Sequence, residues 1–138
     1  ITKKNPNRNS LNYMFGFEND SLDTMQETLD LAMEIKGECS NFNCVMAYKG
    51  TPLYQKAIAN GWEVPQNWEA YAQQSYEIQP LRTNFVSSED VLRFRDKAYM
   101  DYYTNPEYLK MMRKFGADCI EDIKRMTSIK LKRKILGD

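Results

Sequence analysis

Histidine is missing altogether from these 138 residues. That removes imidazole as a metal ligand and as the commonest general acid–base group. Cysteine is sparse, and its count of three is odd, which argues against a disulfide framework and fits a reducing compartment. Four residues separate Cys39 from Cys44, a gap that matches no common metal pattern, and Cys119 is remote from both. All three read as plain thiols, mostly buried. No apolar run approaches about 18 residues, so no membrane-spanning helix is expected. The first residues, Ile-Thr-Lys-Lys-Asn-Pro-Asn-Arg, are polar and carry no signal-peptide pattern, which points to the cytoplasm. They also lack an initiator Met, as expected of a piece of a longer protein. There is no Gly-x-Ser-x-Gly and no phosphate-binding glycine loop, which ranks a small hydrolase last.

What is present suits one domain with a modest core: 42% hydrophobic and 28% charged residues are ordinary for a soluble globular chain. A net charge of zero gives the molecule no bias toward nucleic acid. The charge is uneven, with twelve Lys/Arg and seven Asp/Glu in residues 93–138 against five and seven in residues 1–50. The plain reading of the basic tail is a solvated helix face with cations near a helix C-terminus.

After a frayed lead-in over residues 1–9, Leu11, Tyr13, Phe15 and Phe17 alternate with Asn12, Met14 and Gly16, the period of a strand. Asp20 or Ser21 can cap the helix that follows, whose apolar stripe is Leu22, Met25, Leu29, Ala32 and Met33. Gly37 is a natural residue just past its end. A second strand is expected from about Ser40 to Tyr48, with Phe42, Cys44 and Met46 on one face. Strand, helix, strand in one direction makes a right-handed unit with parallel strands. Thr51 and Pro52 start a short helix that Gly61 ends. Residues 62–86 read as a long irregular segment whose aromatics lay it across the domain. Three helices follow, capped at Ser87 or Ser88, at Asn105 and at Asp118, and Gly116 stops the second. Their expected inward positions include Val91, Phe94, Ala98 and Tyr102, then Tyr108, Met111, Met112 and Phe115, then Ile120, Ile123 and Met126.

Two stretches carry a resemblance. They are Asn12-Tyr-Met-Phe-Gly-Phe-Glu-Asn-Asp-Ser-Leu-Asp-Thr-Met-Gln-Glu-Thr-Leu29 and Asn41-Phe-Asn-Cys-Val-Met-Ala-Tyr-Lys-Gly-Thr-Pro-Leu-Tyr54. Together they resemble the late barrel strands of radical S-adenosylmethionine (radical SAM) enzymes. There one strand ends in Gly-x-Pro-Gly-Glu-Thr and the next in Pro-x-Pro-Gly-Thr-x-Leu. Ser87-Ser88-Glu89, the pair Tyr102-Tyr103 and Pro106 resemble the segment after the barrel in the cobalamin-binding subgroup. That subgroup includes the anaerobic magnesium-protoporphyrin IX monomethyl ester oxidative cyclase and related methyltransferases. The chain departs from the pattern in having Glu18-Asn19-Asp20 for Pro-Gly-Glu, and Ala47 and Lys49 for the two prolines of the second motif. It also has no Cys-x3-Cys-x2-Cys, the family's cluster-binding motif.

The resemblance implies an α/β fragment of a partial TIM-type barrel. Residues 1–61 would be its last βαβ part, and residues 62–138 a covering loop with a helical C-terminal region. For the parent enzyme it implies a 4Fe-4S cluster held by cysteines outside this chain, S-adenosylmethionine cleaved to a 5′-deoxyadenosyl radical, and in the cobalamin subgroup a corrinoid. Met14, Gly16, Asp20, Ala47, Tyr48 and Lys49 would then line the S-adenosylmethionine pocket, at the C-terminal strand ends where such barrels do their chemistry. Each also has a plain role: Met14 as interior packing, Gly16 as a turn, Asp20 as a helix cap, Tyr48 as packing. The partners implied are the missing N-terminal part of the same protein and a small-molecule substrate. The fragment alone should be inactive.

A different reading makes the chain a small interaction or RNA-binding module that uses the basic tail from Lys124 to Lys134. It has no recognisable RNA-binding motif behind it, and a steeply salt-dependent RNA affinity would be its signature. The barrel reading has its own consequence, because strands cut from a barrel expose edges that invite pairing. The isolated chain should self-associate through its strands, and a strictly monomeric species in analytical ultracentrifugation would count against this.

Overall fold

A computed structural model describes residues 9–138. The lead-in expected over residues 1–9 therefore lies, apart from Asn9, outside the described residues. The elements in order are β1 (Ser10–Phe15), α1 (Leu22–Ile35), β2 (Cys39–Cys44), α2 (Pro52–Ala59), α3 (Ser88–Tyr103), α4 (Pro106–Met112) and α5 (Ala117–Ser128). Short 3-10 turns lie at Glu69–Tyr71, Arg113–Phe115 and Lys134–Leu136. The class is α/β. β1 and β2 pair in parallel, from Ser10 opposite Cys39 to Phe15 opposite Cys44, with α1 as the crossover. Among the described residues the sheet stops at these two strands, and no barrel closes.

Local chemistry explains most boundaries. Ser21 caps α1 through a reciprocal box, in which Thr24 N donates to Ser21 Oγ and Ser21 N donates to Thr24 Oγ1. Met25, Leu29 and Ala32 are buried beneath α1, but Leu22 sits in the open first turn and is exposed. Gly37 differs from the expectation. The left-handed residue at the end of α1 is Lys36, at φ 52°, and Gly37 is needed for space instead. A Cβ on Gly37 would lie 2.7 Å from Leu11 Cδ1. β2 also ends sooner than its apolar run. Val45 N still donates to Phe15 O at 2.9 Å, but Val45 O then accepts from Leu81 N, so the chain leaves β1 for the covering segment.

The later helices follow suit, with three exceptions. Ser87 caps α3 and Asn105 caps α4. α5, however, starts directly after Gly116 with no side-chain cap, and Asp118 lies in its first turn rather than at the cap. Met126 points outward. Of the cysteines only Cys44 is buried, while Cys39 is exposed and Cys119 half-buried.

One face of the sheet carries the core. Phe15 and Phe42 stack with centroids 6.0 Å apart, and Phe94 and Tyr102 meet them edge-on from α3. The opposite face, with Asn12 and Met14, is open.

The two sheet edges are treated differently. In the pairing with β1, β2 uses alternate residues, as the bonds from Cys39 N to Asn9 O and from Val45 N to Phe15 O show. Ser40, Phe42 and Cys44 therefore turn their backbone groups outward, and all three find side chains. Tyr103 Oη accepts from Ser40 N at 3.0 Å and donates to Ser40 O at 2.7 Å. Arg95 Nε donates to Phe42 O at 2.7 Å. The Gln73 amide accepts from Cys44 N and donates to Cys44 O, at 2.9 and 3.0 Å. Tyr102 and Tyr108 anchor the approach to β2 by donating to Gly37 O and Glu38 O. By the same alternation Ser10, Asn12 and Met14 turn their backbone groups to the free edge of β1. Among the described residues no strand or side chain covers that backbone edge.

Tyr103→Phe leaves two buried backbone groups of Ser40 without partners. It should cost about 2–6 kcal/mol in urea unfolding, on the order of one to three per unsatisfied group. Alkali should act on the same region. Burial pushes the Tyr102, Tyr103 and Tyr108 phenols above their ordinary 10.0 and the Cys44 thiol from 9.0 up to about 12. A raised acid holds its proton more tightly folded than unfolded, so its stabilisation is complete below the ordinary value and lost as pH rises through the folded one. Stability should be flat to about pH 9 and fall from there toward 12, where circular dichroism melts will show it.

Candidate functional site

Parallel strands bring their C-terminal ends side by side, and here the turn after β1 meets the turn after β2. Asp20 organises the first turn. Its carboxylate accepts from Gly16 N at 3.0 Å and Phe17 N at 2.9 Å, and from Thr24 Oγ1 at 2.9 Å in the first turn of α1. Its carbonyl accepts from Thr83 Oγ1 at 2.8 Å. Asp20 is thus a strut inside the loop, while the cap position itself belongs to Ser21. Gly16 is fixed twice over. Its φ of +93° disfavours a side chain, and a Cβ there would stand 2.8 Å from Val91 Cγ1 on α3.

The second turn starts in buried backbone. Val45, Met46 and Ala47 are all nearly inaccessible, with Ala47 at 0%. Ala47 O accepts from Tyr71 Oη, but the N–H groups of Met46 and Ala47 make no hydrogen bond to any described residue. Buried N–H groups without a partner are rare in folded proteins. Tyr48 then turns outward, half-exposed, and stacks on Tyr71 with centroids 5.0 Å apart. Lys49 and Gly50 form the exposed tip before Thr51. Thr51 caps α2 by accepting from Tyr54 N and donates to Tyr48 O.

Residues 62–86 tie the two turns together. Leu81 N reaches Val45 O, Thr83 Oγ1 reaches Asp20 O, and Asn84 N reaches Glu18 O. Thr83 is fully buried and its Oγ1 also accepts from Phe85 N and Val86 N. Leu81, Val64 and Ala57 pack with Val45 and Ala47 as a second, smaller core beneath the turns. Sequence reasoning did not single out Thr83, Tyr71 or Gln73, because each works through contacts between distant segments.

The six residues named from the sequence thus fall into two groups. Gly16, Asp20 and Ala47 are built into the turns, while Met14, Tyr48 and Lys49 are accessible around them. Met14 lies on the open sheet face with 43% of its surface exposed. Among the described residues no group of three or more Cys, Asp or Glu side chains is placed to hold a metal ion. Cys44, the buried thiol, stays protonated at neutral pH.

Over 98 residues, 70% of its length, the chain is 26% identical to a Pyrococcus horikoshii protein described as an uncharacterized methyltransferase. The match covers 20% of that protein, so the chain spans about a fifth of the relative's length. No family profile and no solved structure matches the chain.

Gly16→Ala tests whether the first turn is as tightly held as this geometry requires. The positive φ and the close approach to Val91 together should cost about 2–4 kcal/mol, measured by urea unfolding. Gly50→Ala, where a Cβ meets nothing within 4 Å, carries the strain of φ +85° alone and should cost about 1 kcal/mol.

Proposed function

We propose that this chain is the C-terminal part of a radical SAM enzyme, one that binds S-adenosylmethionine and acts as an oxidative cyclase or methyltransferase. The observation that carries the reading is the pair of unpartnered, buried N–H groups at Met46 and Ala47, at the C-terminal end of a parallel strand. They are donors with no acceptor among the described residues, at the strand end where the resemblance implies the adenine edge. Gly16, on the neighbouring strand end, keeps the backbone bare for close approach, and Met14 offers an accessible thioether face to a flat ring. Asp20 holds the Gly16 turn and α1 together, so its part is positioning. Tyr48 and Lys49 stand at the rim, where a sugar or carboxylate would pass.

The likeness to an uncharacterized methyltransferase supports the same class. So does the asymmetry of the sheet. The β2 edge is sealed by side chains, as at the last strand of a series, and the β1 edge is open, as where an earlier strand of the same protein would pair. When bound beside a reduced cluster, S-adenosylmethionine supplies a radical or a methyl group. The cluster ligands belong to the parent protein outside this chain, and the resemblance to the cobalamin-binding subgroup adds a corrinoid there. Within that subgroup the reading extends to an oxidative cyclase of the magnesium-protoporphyrin IX monomethyl ester type.

The alternative reading, a small interaction or RNA-binding module, would have the exposed Lys124, Lys130 and Lys132 of the basic tail to work with. Within the basic tail Arg133 is wholly buried against Asp96, Lys134 pairs with Glu77, and Arg125 pairs with Asp122.

The test is on the parent protein, reconstituted anaerobically with iron and sulfide. A cluster spectrum with cleavage of S-adenosylmethionine to 5′-deoxyadenosine is the expected result, and a full-length product with neither would end the proposal. In that protein Met14→Ala should raise the Kd for S-adenosylmethionine by about tenfold, the equivalent of one lost apolar contact near 1.4 kcal/mol. An unchanged Kd would remove Met14 from the site.

A further inference from the structure

A cavity of about 810 Å³ lies away from the strand ends, between α3 and the segment from Met126 to Asp138. Its size falls in the range of sites for small organic ligands. Its chemistry is divided. One side is apolar, with Met100, Met126, Ile129, Leu131 and Leu136, and Ile129 and Met126 are exposed at the mouth. The floor is charged, with Arg95, Asp96 and Arg133.

The floor has more donors than acceptors. Asp96 accepts from Arg95 Nη1 at 2.6 Å, and from Arg133 Nε and Nη2 at 3.1 and 3.0 Å. Arg133 Nη1 is taken by Ser75 O, and Arg95 Nε by Phe42 O. Arg95 Nη2 has no hydrogen-bond partner among the described residues, although Arg95 is only 2% exposed. Two buried guanidinium groups share one carboxylate, and the other carboxylate lining the cavity, Asp138, accepts from the backbone N–H of Arg133. The neighbouring Cys44 thiol is protonated and supplies no charge. At the wider rim Lys130 adds positive charge, while Arg93 is paired with Asp90 at 3.2 Å. A buried cation with a spare donor and apolar walls around it is matched by an anion that carries an apolar body.

We propose that this cavity binds an organic carboxylate with an apolar tail. The carboxylate accepts from Arg95 Nη2 at the floor, and the tail lies along Met100, Met126, Ile129 and Leu131. The proposal is independent of the S-adenosylmethionine reading, since it uses none of the residues at the strand ends.

The probes are dodecanoate and, as the uncharged control of equal length, dodecanol, both titrated calorimetrically below their aggregation limits. Dodecanoate should bind with a stoichiometry of one and dodecanol at least about tenfold more weakly, the worth of one charge-assisted hydrogen bond. Arg95→Gln also removes the bond to Phe42 O and can unfold the chain, so the deciding variant is Ile129→Asp. That residue is 60% exposed and the substitution leaves the floor intact. It places a carboxylate and removes an apolar contact at the mouth, and should weaken dodecanoate at least about tenfold without lowering the melting temperature. Equal affinity for dodecanol, binding of several molecules per chain, absence of binding, or an Ile129→Asp protein that binds dodecanoate as well as the parent would each overturn the proposal.

Discussion

The structure depends on how the outer edge of β2 is closed. A strand edge presents N–H and C=O groups that must find partners, and a two-stranded sheet has two such edges. Here Tyr103, Arg95 and Gln73 each serve one outward-facing residue of β2, at Ser40, Phe42 and Cys44. Two of the three come from α3 and one from the covering segment. The strand, the helix and the loop are thus fixed by the same short row of bonds. The aromatic core lies directly behind it, because the side chains of Phe42 and Cys44 turn inward while their backbone turns to the edge.

The same row explains the fate of the C-terminal tail. Arg95 can lie buried beside Phe42 because Asp96 takes its charge, and Asp96 in turn draws in Arg133 from nearly forty positions along the chain. A buried pair of this kind adds little net stability over an apolar packing, but breaking one partner strands a charge in the interior. Its consequence is geometric. It pins the tail across α3 and so creates the cavity between them, with a cation at its base.

The sequence made local features legible and left the long-range ones hidden. The alternation of Leu11, Tyr13 and Phe15, the Ser21 and Asn105 caps and the Pro52 and Pro106 helix starts all rest on interactions within a few residues. So does the parallel pairing, which follows from a short strand–helix–strand unit. Phe17, however, the last member of the alternating set, lies beyond the strand and is exposed, and α4 ends at Met112, before the 3-10 turn that Gly116 closes. Gly37 was read as a helix end, yet it serves the packing of Leu11, a contact across 26 positions that no local rule contains. Asp118 has the right chemistry for a cap, but Gly116 lets the chain start α5 two residues sooner. Arg133 looks in sequence like any member of a solvated basic run, and only its partner Asp96, on α3, reveals that it is buried. At the strand ends the residue types were visible, and the division of labour was not. Asp20 and Gly16 spend their properties on the turn, and the partnerless groups at Met46 and Ala47 are backbone, which carries no sequence signature.

The asymmetry of the sheet bears on what this chain is for. A small independent domain gains from closing both edges, and this one has the means, since tyrosine, arginine and glutamine side chains serve the outward groups of β2 at Ser40, Cys44 and the Phe42 carbonyl, leaving the Phe42 N–H without a partner among the described residues. On β1 nothing comparable occurs among the described residues. Asn12 and Met14 face outward over an open sheet face, and Asn12 bonds instead to Asn41 across the strands. Selection that polishes one edge and leaves its neighbour bare fits a sheet that continues on the bare side. The open edge of β1 is the one observation that a further parallel strand of the same sheet would resolve directly, since such a strand takes up the outward backbone groups of Ser10, Asn12 and Met14.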